Sequence, residues 1–222
     1  MTFVYPDIDC VFDTGGEMIS TLIIENQPLL RTLLTDLRQQ ISGLDGRSVL
    51  SEGDKILPPG KHLELLDRFV PFDLNTRSLL TKIVSELEKR AVSEEYYAET
   101  ITFLGDTERF LTDLSFDFPV DLTFSKISAG SLIKAAGVEI CDDYDSLGEK
   151  IIDYFQMVRD LVGSKLFITV NLRSYLTDEE TGFFMKTVAS HQFDIIMIES
   201  TEHVRLPAEC RRVVDADLCL IG

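Results

Sequence analysis

His62, His191 and His203 are the chain's three imidazoles, and no two are close enough in sequence to sit on one metal ion through a single turn or helix. His62-Leu63-Glu64 has the H-x-E form of zinc deaminases, but no P-C-x-x-C follows to complete the ligands. Cys10, Cys141, Cys210 and Cys219 make no C-x-x-C pair, so they read as reduced, mostly buried thiols of a cytoplasmic protein. No G-x-S-x-G nucleophile elbow is present. A phosphate-cradling loop would read G-x-x-x-x-G-K-[ST] after the first strand of an α/β sheet. After Ile24-Glu25 the chain has Asn26-Gln27-Pro28-Leu29, with a proline where an amide should face the phosphate. Glu199 ends an apolar strand where a magnesium ligand could stand, but one carboxylate there reads as a solvated strand end. With no complete catalytic constellation, the chain is expected to bind rather than catalyse.

Two patterns point to ions and phosphates. Asp143-Tyr144-Asp145-Ser146-Leu147-Gly148 imitates the opening of an EF-hand loop, but Leu147 falls at position 5 and Tyr154 where the bidentate Glu belongs. Asp145 reads better as a helix cap. Asp117 and Asp121 flank Pro119 in an irregular stretch that could offer carboxylates and carbonyls to a hard cation, or be a solvated loop. Residues 76–90 hold Arg77, Lys82, Lys89 and Arg90 against Glu86 and Glu88, and Lys126 and Lys134 follow. Such a cluster is either a solvated face or a surface that tracks phosphates. The formal net charge of −17 opposes any nucleic-acid function unless the cations are gathered on one face.

The elements that must position these residues follow from periodicity. Residues 19–25 predict a strand, and residues 28–41 a helix with Leu29, Leu33, Leu37 and Ile41 on its apolar side. Short β pieces are expected at 48–50 and 55–57. Residues 75–114 predict two helices, the second capped by Ser93 and carrying the stripe Tyr97, Ile101, Leu104 and Leu111. A short helix ended by Gly137 and a helix over 145–162 come next. Strand 165–172, helix 177–190 with a Thr177 capping box, and strand 193–199 make a βαβ unit, which implies a parallel sheet. A last strand is expected at 217–221. The chain thus divides into an α/β head, 1–70 and 145–222, and a helical insertion, 71–144. No basic n-region leads into an apolar segment, and no apolar run reaches the ~20 residues of a membrane helix, so neither a secretory signal nor a membrane span is expected.

An ordered set of segments resembles the ring-forming spacer-acquisition proteins of type II-A CRISPR systems, the Csn-two family. Gly15-Gly16 leads into the strand ending Ile24-Glu25. Phe72-Asp73-Leu74-Asn75 opens the long helix, and Leu132-Ile133-Lys134-Ala135-Ala136-Gly137-Val138 is similar to the family's L-I-K-x-h-G-h pattern. Residues 165–171, 176–179 and 195–199 complete the set.

The resemblance implies a head with a degenerate P-loop-ATPase-like sheet and an inserted helical leg. It also implies a non-catalytic, cytoplasmic bacterial protein whose homotetrameric ring encircles double-stranded DNA, loads at free ends and is held by calcium. Its implied partners are the CRISPR integrase proteins and the RNA-guided effector nuclease. Calcium would fall in residues 115–128, where Asp117 and Asp121 are the only acids. The family's DNA-facing lysines follow no motif, so Arg77, Lys82, Lys126 and Lys134 are candidates from local charge alone. Two other readings stay open: a degenerate nucleotide-binding protein, and a scaffold that touches only proteins.

Overall fold

Alternation makes the N-terminal hairpin: Phe3, Tyr5, Ile8 and Phe12 are buried, while Asp9, Val11 and Asp13 face out. The computed structural model describes residues 1–221 and divides into two units, Met1–Asp73 with Asp143–Gly222, and Leu74–Asp142.

The first unit contains β1 (Thr2–Tyr5), β2 (Ile8–Asp13), β3 (Ile19–Ile24), α1 (Gln27–Ile41), β4 (Val49–Glu52), β5 (Lys55–Leu57), the short α2 (Pro59–His62) and β6 (Leu63–Leu66). The second unit holds α3 (Arg77–Ala91), α4 (Tyr97–Ser115) and α5 (Ala129–Ala136). The first then resumes with α6 (Leu147–Leu161), β7 (Leu166–Val170), a 3-10 turn at Leu172–Ser174, α7 (Asp178–Ser190), β8 (Asp194–Glu199), β9 (Glu209–Val214) and β10 (Leu220–Ile221).

Two sheets form in the first unit. One is antiparallel, in the order β2-β1-β4-β5. The other runs β10-β9-β3-β8-β7-β6 and is parallel except at the β10 edge. One face of the parallel sheet, with Leu22, Ile24, Ile168, Ile196 and Ile198, shares a core with α1 and the antiparallel sheet. On the other face Phe155 of α6 stacks on Phe167 of β7 at 3.9 Å, and Phe184 and Phe193 meet Phe155 edge-on. The mixed α/β class and the parallel strands are as expected.

Local signals placed most elements well. Asn26 accepts from the Leu29 amide, with Pro28 in the first turn of α1. Thr177 and Glu180 form the reciprocal box of α7. Other expectations need correction. Ser93 does not cap α4, because its hydroxyl donates to the Arg90 carbonyl and so closes α3; Tyr96 stands at the α4 start with no side-chain cap. Asp145 is one residue too early, and Ser146 holds the cap position of α6. No cysteine is buried: Cys141 and Cys219 are exposed, Cys10 and Cys210 half-buried, and all four are free thiols. Strands β1, β2, β6 and β9 were not anticipated.

Candidate nucleic-acid interface

The second unit is built on a close approach of α5 to α3. A Cβ placed on Gly130 would lie 1.8 Å from Oε1 of Glu88, so only glycine admits the Glu88 side chain as it stands. Ser128 and Ser131 cap each other's backbone and fix where α5 begins. The segment after α5 is pinned to the start of α3 by Asn75, whose Oδ1 accepts from the Ile140 amide at 2.7 Å.

This packing leaves a groove of about 470 Å³ with Asn75, Arg77, Thr81, Ser85, Glu88 and Lys134 on its walls. Residues 77, 81, 85 and 88 recur at helical spacing on one side of α3. Lys134 reaches across from α5 to within 3.6 Å of Glu88. The groove therefore presents two cations, two hydroxyls, a carboxamide and one carboxylate around a largely apolar lining to which Leu80 and Val84 also contribute. Phosphate oxygens accept from all of these donors, while Glu88 competes for Lys134.

Among the sequence candidates, Arg77 and Lys134 are brought together here, and Lys82 and Lys126 are not. Lys82 is exposed on α3 five residues beyond Arg77, roughly 140° around the helix by its 3.6-residue turn. Lys126 is exposed in the irregular stretch before α5. Among the described residues Arg77, Lys82 and Lys126 form no ion pair. Sequence reasoning missed Asn75, Thr81 and Ser85; the signal available was the polar i, i+4, i+8 row starting at Arg77.

Asp117 and Asp121 are exposed beyond the end of α4. Among the described residues, no group of three or more His, Cys, Asp or Glu side chains is placed to hold a metal. Residues 119–127 also engage no backbone hydrogen bond among the described residues, so their carbonyls are open to a ligand. Two exposed carboxylates fall short of the six to eight oxygen ligands that calcium takes.

The same region carries a large uncovered apolar surface. Helix α4 buries no residue. Tyr97 and Ile101 are more than half exposed on one side of α4, and Phe103, Phe110 and Leu114 on another; Phe116, Phe118, Val120, Leu122 and Phe124 are exposed beyond its end, with Phe116 86% exposed. An apolar groove of about 280 Å³, walled by Phe103, Leu104, Leu132 and Ile133, opens beside it. Of the expected stripe on α4, Tyr97 and Ile101 are exposed while Leu104 and Leu111 are half-buried, Leu104 beside Leu132 and Ile133.

At the C-terminal end of β3, the Asn26 carboxamide is engaged on both sides. Its Oδ1 accepts from Leu29 N at 2.9 Å and its Nδ2 donates to the Ala216 carbonyl at 2.8 Å. Glu199 is not a solvated strand end. It is 1% exposed, and burial pushes its carboxyl up to about 7 against the opposing pull of the Arg173 amide and guanidinium. His203 is half-buried and held below its usual range, first by burial and then by Arg173.

The family model described as CRISPR-associated protein (Cas_Csn2) matches residues 40–218. The chain is 28% identical over 167 residues to CRISPR-associated protein Csn2 of Streptococcus agalactiae, covering 72% of each chain. It is 25% identical over 167 residues to the protein of the same name from Enterococcus faecalis, covering 75% of this chain and 76% of that one. Neither relative is named as an enzyme. Among the described residues no helix is long and apolar enough to cross a membrane.

Proposed function

The chain belongs to the CRISPR-associated Csn2 family, and we propose that it is a non-catalytic binder of double-stranded DNA ends that acts as a four-copy ring in new-spacer acquisition. The observation that carries this reading is the uncovered apolar surface of α4 and residues 116–124. At roughly 200 Å² for a whole aromatic side chain, the exposed parts sum to on the order of 1,000 Å² per copy, divided between two sides of α4 and residues 116–124. A stable interface needs about 800 Å² per partner, and monomers rarely leave so much apolar area in water. A cover present wherever the chain is present is another copy of it.

Self-association sets acid against acid, since α4 and the stretch behind it carry Glu99, Asp106, Glu108, Asp113, Asp117 and Asp121. A divalent cation relieves that repulsion. In this reading calcium is held by Asp117 and Asp121, by open carbonyls of residues 119–127, and by oxygens of a second copy. The duplex contacts the groove through Arg77 and Lys134, with Lys82 and Lys126 adding charge. The sheet of the first unit is read as a degenerate relative of the P-loop ATPase sheet, in which Asn26 takes the helix amide that would face a phosphate. CRISPR integrase proteins and the RNA-guided effector nuclease are the proposed partners, and the cytoplasm the proposed compartment.

Sedimentation with and without calcium, followed by binding of linear and covalently closed circular duplex, tests the proposal. Four-copy assemblies that retain linear duplex and pass over closed circles are expected. A monomer under all conditions, or equal binding of both DNA forms, overturns it. The net charge of −17 favours a second reading, a scaffold that touches only proteins. Failure of a short blunt duplex to bind even at low salt would select that reading.

A further inference from the structure

Residues 116–124 read Phe-Asp-Phe-Pro-Val-Asp-Leu-Thr-Phe, with a large apolar side chain at every second position. That is the period of a half-buried β-strand, not of a helix. The segment nevertheless joins no sheet. All of residues 116–126 are exposed, and among the described residues 119–127 make no backbone hydrogen bond. Apolar side chains and an unpaired row of amides and carbonyls thus lie open together, a template on which another strand adds.

The residue order selects the partner. Antiparallel strands keep opposite residues on one face, so even numbers must oppose even and odd oppose odd if the apolar side chains are to gather. The segment meets this with its own copy when a two-fold axis passes through a residue. With the axis at Pro119, Asp117 faces Asp121; with it at Asp121, that carboxylate faces its own copy. At Val120 no acid faces an acid, since Asp117 lies opposite Thr123 and Asp121 opposite Pro119. On the other face Phe118 lies opposite Leu122, Phe116 opposite Phe124, and Val120 opposite itself. Pro119 fixes the hydrogen bonding as well, because a residue without an N–H must stand where the backbone nitrogen points away from the partner. The even-numbered residues are therefore the hydrogen-bonded ones, and Val120 exchanges both bonds with its own copy. One patch serving both sides in this way makes an isologous contact.

We propose that residues 118–122 of two copies pair as antiparallel strands about Val120, forming a two-fold ribbon between them. The proposal rests on the self-association read above and names how two of the copies join. Asp117 and Asp121 of both copies share the face away from the apolar side chains, on diagonal positions, and theirs is the repulsion that a bound cation relieves. A two-stranded ribbon is marginal alone; the exposed Phe110 and Leu114 of α4 add to the apolar area that the pair covers. One two-fold contact joins only two copies, so a ring of four needs a second, different contact.

Residue-resolved deuterium exchange of the assembled full chain tests the ribbon. The amides of Val120 and Leu122 should be protected at least about tenfold over the chain diluted to monomer, while those of Asp121 and Thr123 stay open. Disulfide trapping gives a second readout. Under mild oxidation Val120→Cys should link to its own copy, because residues in a hydrogen-bonded pair stand about 5.5 Å apart. Thr123→Cys should not, being about 20 Å from its own copy along the ribbon. Mass spectrometry of the linked peptide separates this bond from any made by the four native thiols. Assembly without alternating protection, or with linkage at 123 equal to that at 120, overturns the pairing and leaves the four-copy reading standing. Assembly that stops at two copies with the alternation present upholds the pairing and overturns the ring. A chain that stays monomeric at every concentration overturns both.

Discussion

Glu88 and Gly130 occupy one space: the carboxylate oxygen of the first lies 1.8 Å from where a Cβ on the second would be. The contact joins α3 to α5 and places Lys134 opposite Glu88. The shape of the groove therefore depends on a glycine in the first turn of α5, where no left-handed backbone requires one.

Gly130→Ala should destabilise the chain by about 1–2 kcal/mol, because Glu88 must leave its position. In a Glu88→Ala background the same change should become stabilising by up to about 1 kcal/mol, since alanine favours helix. Urea unfolding of the four proteins of this cycle checks the reversal of sign.

The groove reading makes a salt-dependent prediction. Arg77→Ala and Lys134→Ala should each weaken duplex binding without regard to sequence and reduce the slope of log affinity against log salt by about one. Glu88→Gln should strengthen binding by releasing Lys134. Fluorescence anisotropy of a labelled blunt duplex over a salt series measures all three.

Phe110→Asp should shift the chain toward monomer by more than tenfold in dissociation constant, since it places a charge in the apolar surface proposed to be shared. Sedimentation over a concentration series checks it, with far-ultraviolet circular dichroism showing that the helices persist.

Asp117→Ala with Asp121→Ala should abolish the part of assembly that depends on calcium, while assembly without the ion strengthens because two of the opposed acids are gone. An ion that binds only the assembled state shifts assembly by its differential affinity, and that shift disappears with its ligands. Sedimentation in calcium and in chelator compares the two proteins.

Glu199 gives a pH-dependent stability. Its folded value of about 7 lies above the unfolded 4.5, so the folded state binds the extra proton between those limits. Stability from this group is fully present below about pH 4.5 and falls as pH rises toward 7, by on the order of 2–3 kcal/mol. Glu199→Gln should therefore gain stability at pH 7.5 and almost none near pH 4.5. Urea midpoints at the two pH values decide it.

Much of the fold was written locally. The period of α1 and α6, the Thr177–Glu180 box of α7 and the apolar runs of β7 and β8 each lie within one short window, and packing did not override them. Strand β9 escaped because Glu209 and Arg211 look like solvent-facing residues until Arg173 and Glu202 are seen to neutralise them. Glu199 was misread for the same reason, since burial at a strand end depends on what crosses over it. The stripe on α4 was legible as a stripe; nothing in a periodic pattern says whether a partner lies on it. Arg77 and Lys134 are far apart in sequence, and Gly130 brings them to one groove while leaving Lys82 outside. Periodicity and capping are interactions between near neighbours and so can be read from the sequence itself. Which charges meet, and which apolar faces stay open, depends on contacts between distant segments, and only the tertiary structure decides them.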